Sequence, residues 1–201
     1  MGYQIRGYDQ VQGVNPGEFV QLSAGGYICH IVHAEIAQSK AGRDMLVLYI
    51  DIAEGEFANY FKNQTDREKQ FDSNKKWTNA GIYRQMIYNN DGSCSKFLKG
   101  FLNTMERSNA GLKINGGDFE PSDLHWKLCG FVFGQEEYEK QNGDIGTRTV
   151  ICFPRTVDTI REGKFKVPEL KKLNKPAAES AANQDALTFE GKPVEEIDTP
   201  F

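Results

Sequence analysis

Aromatic and cationic side chains interleave along the first half of this 201-residue chain in a pattern that suits one kind of chemistry. Lys40 and Arg43 flank a glycine-containing turn, and Tyr49 follows on an apolar run. Tyr60, Phe61 and Lys62 are consecutive. Arg67, Lys75, Lys76 and Trp77 crowd the polar segment after them, and Arg148 stands beyond an Asn142-Gly143 turn. Aromatic faces stack on unpaired bases whatever their identity, at roughly 1–3 kcal/mol per base, while neighbouring cations hold the phosphates. Lys40, Arg43, Tyr49, Tyr60, Phe61, Lys62, Arg67, Lys75, Lys76, Trp77 and Arg148 are therefore candidate contacts for a single strand. The competing reading is that the aromatics pack in a core and the charges form a solvated face. A second basic stretch, Arg161, Lys164, Lys166, Lys171, Lys172 and Lys175, suits a phosphate backbone or the start of a linker equally well.

The other chemistry sits at the end of the chain. Glu195, Glu196, Ile197, Asp198, Pro200 and Phe201 combine acids, an aromatic ring and a terminal carboxylate. The ring can fill an apolar pocket and the carboxylate can pair with Arg or Lys, so this tail reads as a protein-docking segment. The net charge is −4, and residues 179–201 hold six acids against one lysine. The body is thus close to neutral, and the total says little about whether one face of it is basic.

Other classes find little support. The sequence has no Walker motif, no Gly-x-Ser-x-Gly elbow and no pair of cysteines at CxxC spacing. Cys29, Cys129 and Cys152 lie in apolar runs, where a thiol acts as a small hydrophobe. His30 and His33 stand three apart on a strand-like run, and strict alternation would point their rings to opposite faces; no metal or other cofactor is expected. Pro121-Ser122-Asp123 and Glu162-Gly163-Lys164 superficially resemble the carboxylates of a metal-dependent nuclease, but their spacing is loose. A non-enzyme is the expectation. No apolar run approaches the roughly 18 residues of a membrane span, and residues 1–6 carry no signal-peptide core, so a cytoplasmic protein is expected.

Those residues need a scaffold. Alternating apolar positions predict strands over 27–36, 44–53 and 57–61. In the first, Ile28, Val32, Ala34 and Ile36 share a face that His30 interrupts. In the second, Leu46, Leu48, Ile50 and Ile52 share one face. Cys94, Phe97, Leu98, Phe101, Leu102 and Met105 form a single helical stripe, with Ser93 as cap and 109–111 as stop. Residues 126–138 and 147–157 pair as a hairpin across the Asn-Gly turn. Strand, strand, strand, helix, strand, strand is the order of a mainly β, five-stranded OB-fold barrel with its helix between strands 3 and 4. The rival is an open sheet with the helix on one face. The expected organisation is a binding body over 1–167 with an irregular N-terminal extension, a flexible linker over 168–187 and an acidic tail over 188–201.

The ending Ile197-Asp198-Thr199-Pro200-Phe201 is similar to the Asp-Ile-Pro-Phe ending of bacterial single-stranded DNA-binding proteins, with Thr199 inserted and fewer acids. The body resembles bacteriophage proteins of the same role, through Ser39-Lys40-Ala41-Gly42-Arg43, Glu54-Gly55-Glu56-Phe57, Phe97-Leu98-Lys99-Gly100-Phe101 and Ile160-Arg161-Glu162-Gly163-Lys164-Phe165-Lys166. The likeness spans 26–167 loosely. It implies an OB-fold, a place in phage DNA replication or recombination in the host bacterial cytoplasm, and partners such as a helicase, primase or recombinase docked by the tail. It carries over no individual DNA contact. A homo-oligomer is compatible with this role, and the sequence leaves the assembly state open. The alternative is a protein-interaction module that docks host machinery without DNA.

Overall fold

The computed structural model describes residues 21–114 and 116–173. The fold is mainly β. Strands β1 (Gly25–Gln38), β2 (Asp44–Ile52), β3 (Ile82–Met86), β4 (Leu128–Glu139) and β5 (Ile145–Arg155) form one antiparallel sheet in the order β3-β2-β1-β4-β5. Helix α1 (Tyr60–Lys69) joins β2 to β3, α2 (Lys96–Ser108) joins β3 to β4, and the short α3 (Val157–Arg161) follows β5. The expected helix between the third and fourth strands is therefore present. The expected docking tail and most of the expected linker lie outside the described residues, as does most of the N-terminal extension.

The sheet is not closed into a barrel. Among the described residues β3 and β5 are its two edges, and no ladder joins them. β3 has only five residues, and α2 lies across the opening, packed on β3, β4 and β5. Phe101 of α2 meets Tyr83 of β3 with ring centroids 5.8 Å apart.

Apolar periodicity accounts for the core. Leu46, Leu48, Ile50 and Ile52 are fully buried on one face of β2, against Phe61, Phe101, Phe131 and Phe133. Burying each of these side chains stabilises the fold by about 1.5–3 kcal/mol. Leu98, Phe101, Leu102 and Met105 form the buried stripe of α2, while Phe97 stays exposed. The opposite face of β2 is covered too: Met45, Val47 and Tyr49 are buried with Trp77, Ile82 and Met86 packed on them.

β1 departs from simple alternation. In its pairing with β2, His30 stands opposite Asp51, Ile31 opposite Ile50, and His33 opposite Tyr49. Val32 is the extra residue of a bulge. Cys29, Ile31 and Ala34 therefore face the main core, and Ile28 joins a separate cluster with Val132, Val157 and Ile160. The bulge also returns His33 to the face that carries His30, which strict alternation would not do.

The strand expected over 57–61 is instead a turn leading into α1. Phe57, Tyr60 and Phe61 stand at offsets 0, 3 and 4, a helical spacing, and their rings touch in sequence at 5.9 and 5.2 Å. Asn59 turns the chain at φ 60°. The buried Asp51 carboxylate accepts from the N–H groups of Ile52, Phe61 and Lys62 at 2.9, 2.9 and 3.1 Å. A β2 side chain thus supplies the cap that Asn59 does not. Burial raises the Asp51 pKa, and these three hydrogen bonds oppose the rise.

Beyond α3 the chain stays attached to the sheet. Phe165 covers Gly26, where an added Cβ would sit 2.4 Å from its ring. Lys171 bridges β4 in parallel, with its N–H donating to Gln135 O at 3.0 Å and its O accepting from Glu137 N–H at 2.9 Å. Among the described residues no helix is long and apolar enough to cross a membrane.

Candidate nucleic-acid interface

The open sheet leaves a cleft of about 860 Å³ between the edges of β3 and β5, with α2 along it. Ile82, Tyr83, Arg84 and Gln85 line it from β3. Lys96, Phe97, Gly100, Phe101 and Thr104 line it from α2, and residues 150–155 from β5. Among the described residues, three that line it are cations, Arg84, Lys96 and Arg155, and none is a carboxylate.

Each cation is held by a neutral neighbour. Arg84 Nη2 donates to Asn79 Oδ1 at 2.9 Å. Lys96 Nζ lies 5.4 Å from the centroid of the Phe97 ring. The Arg155 guanidinium lies 4.3 Å above Phe153, and its Nη1 donates to Pro154 O at 2.9 Å. Cation–π contact orders the group without neutralising it. Phe97 is 67% exposed beside Lys96. Gly100, one turn further along α2, carries no Cβ to narrow the cleft, and nothing would stand within 4 Å of one. The arrangement offers positive charge and apolar ring surface together in a concave site.

Several of the expected contact residues do other work. Phe61 is a core residue, 1% exposed. Tyr60 is half-buried, and its hydroxyl accepts from Leu22 N–H at 3.2 Å. Tyr49 does point away from the main core, yet it is buried, and its hydroxyl donates to Glu35 Oε1 at 3.0 Å. Trp77 packs against both the main core and the Tyr49 cluster, with a buried Nε1 that has no hydrogen-bond partner among the described residues. It lies over Gly81, where a Cβ would come within 2.7 Å of that nitrogen. Phe61 and Tyr49 are thus buried rings, and Tyr60 and Trp77 are partly buried ones. The short sequence distance between such aromatics and lysines reflected a core helix and its solvated side.

The expected cations remain exposed, though some are paired. Lys62 bonds Asp66 one turn along α1, Lys75 Nζ lies 3.3 Å from Glu68, and Arg148 bonds Glu136 at 2.8 Å. Lys40 is exposed in the β1–β2 turn, where Arg43 donates to Asn90 Oδ1. Arg67 and Lys76 are exposed on and after α1. None of these residues lines the cleft. Sequence reasoning missed Arg84, Lys96 and Arg155, and also Phe71, which is 89% exposed just beyond α1. Lys96-Phe97 at the start of the amphipathic helix, with Phe97 on the rim of the apolar stripe, was the available signal.

The nuclease-like carboxylates have structural duties. Asp123 Oδ2 accepts from Glu120 N–H at 3.0 Å in the 3-10 turn Pro121–Leu124, and Glu162 pairs with Lys164 at 2.9 Å. Among the described residues no three His, Cys, Asp or Glu side chains are grouped to hold a metal. Cys29 and Cys129 face each other across β1 and β4 as buried free thiols, and burial raises the pKa of both.

No curated protein matches the chain. A family model described as a protein of unknown function, DUF669, matches residues 8–90. That span holds β1, β2, α1 and β3, fewer than half of the 201 residues, and one wall of the cleft.

Proposed function

We propose that this protein binds single-stranded DNA without reading its sequence, and that the cleft between β3 and β5 holds the strand. The observation that carries the reading is a concave site whose described lining residues include three cations, an exposed phenylalanine and no carboxylate. A backbone of phosphates requires the cations, and unpaired bases require the ring surface. In this reading the protein is not an enzyme. It covers exposed strand during phage DNA replication or recombination, and Glu195, Glu196, Ile197, Asp198, Pro200 and Phe201 recruit a helicase, primase or recombinase.

A second reading rests on the two unpaired edges. Among the described residues β3 and β5 each pair with a strand on one side only, so an extended peptide could add to either. Fluorescence polarization separates the two readings. Labelled oligothymidylate should bind more tightly than a duplex of equal length, and added salt should weaken that binding. Equal affinity for both forms counts against single-strand binding and leaves the peptide reading.

A further inference from the structure

Among the described residues, two that are not glycine hold a positive φ: Asn59 and Trp126, both at 60°. Asparagine visits this left-handed region readily, whereas a bulky aromatic residue does so only against steric resistance. Backbone hydrogen bonds fix Trp126 there. Its N–H donates to Ile31 O at 2.8 Å, and the N–H of Ile31 donates to Lys127 O at 3.0 Å. Next to it, His125 Nε2 accepts from Ala34 N–H at 3.1 Å, which ties the same loop to β1 beyond the bulge.

This strained residue is not there to fill the core, since Trp126 is 70% exposed. Its indole lies nearly parallel to the His30 imidazole, with centroids 5.3 Å apart and planes 20° apart. One face is thereby backed by a ring of the sheet, and the opposite face is left to solvent. The bulge at Val32 gathers further rings alongside: His33 lies 5.2 Å from His125 and 5.5 Å from Tyr49. Residues held in sparsely populated backbone regions cluster at active sites, ligand clamps and switch regions.

We propose that Trp126 is a stacking platform for an unpaired nucleobase, with His30 as its backing. The inference rests on the reading of the protein as a single-strand binder. It adds a contact that the cleft does not supply, because Trp126 is not among the residues that line the cleft. Stacking needs one flat open face and no base-specific hydrogen bond, and the exposed indole provides that.

The test uses the full chain and fluorescein-labelled oligothymidylate. Trp126→Ala should weaken binding about tenfold, the ~1.4 kcal/mol typical of one stacked base. Trp126→Phe should keep most of the affinity. Trp126→Gly relaxes the backbone, so it should fold at least as well by circular dichroism and still lose affinity. Oligothymidylate should quench indole emission in the wild-type protein, and Trp126→Phe should lose that quenching although Trp77 remains. Wild-type affinity in both the Gly and Ala variants overturns the platform while leaving single-strand binding intact. Failure of the wild-type protein to bind single strands at all overturns the earlier reading and this one with it.

Discussion

The salt dependence of binding tests the cleft most directly. Each phosphate neutralised on a single strand contributes roughly −0.7 to the slope of log affinity against log salt. Arg84, Lys96 and Arg155 are the cations among the described residues that line the cleft. Together they should contribute a slope of about −2, so a fourfold rise in salt should weaken binding by about 20-fold. Arg84→Gln, Lys96→Gln and Arg155→Gln should each flatten the slope by about 0.7, and the triple variant by the full amount. All three positions are exposed and none is in an ion pair among the described residues, so loss of each charge should change stability by only about 0.5 kcal/mol. Lys62→Gln serves as a control, because Lys62 already bonds Asp66 and lies outside the cleft. Polarization titrations at several salt concentrations read the slopes. Parallel lines for the wild-type protein and the triple variant would refute the placement of the strand in this cleft.

Three further outcomes are expected. Asp51→Ala leaves the N–H groups of Ile52, Phe61 and Lys62 without their acceptor, and should lower stability by about 2–4 kcal/mol in denaturant unfolding. Trp77→Ala should act on stability, by about 3–5 kcal/mol, because the ring bridges two apolar clusters; binding that falls while the unfolding midpoint is unchanged would return Trp77 to the contact surface. Burial pushes the Tyr83 phenol from 10.0 up to about 12. The folded state then holds this proton over a range where the unfolded state releases it, so the stability contribution is full below pH 10 and declines as pH rises toward 12. Unfolding measured across that range should show a shallower decline in Tyr83→Phe, and an identical decline would rule this out.

The scaffold was legible where apolar periodicity was strong. The alternation of Leu46, Leu48, Ile50 and Ile52 placed β2, and the stripe from Leu98 to Met105 placed α2. The Asn142-Gly143 turn placed the β4–β5 hairpin. The misplaced third strand had a local cause: Phe57, Tyr60 and Phe61 are compatible with a short strand, and the helix gains its cap from Asp51 on another element. β3 itself, Ile-Tyr-Arg-Gln-Met, is short and carries a weak pattern. The contact set was less legible because stacking chemistry needs an open ring face, and ring exposure depends on packing. Tyr49 and Trp77 have the right residue types, yet they cover one another's side of the sheet. Lys96 and Arg155 become neighbours of one cleft only when α2 and β5 are brought together, about sixty positions apart in the chain.

The bulge at Val32 acts as a change of reading frame within a strand. Residues before it bury odd positions, Cys29 and Ile31, and after it the even position Ala34 turns inward. Most substitutions at Val32 alter one half-buried side chain. Its deletion would force one half of β1 out of phase with its partners, exposing the Cys29 and Ile31 side or turning Ala34 outward. The chain should therefore tolerate a change of residue here far better than a change of length. Homologous sequences aligned through this strand should accordingly vary in the side chain at this position while keeping the position itself.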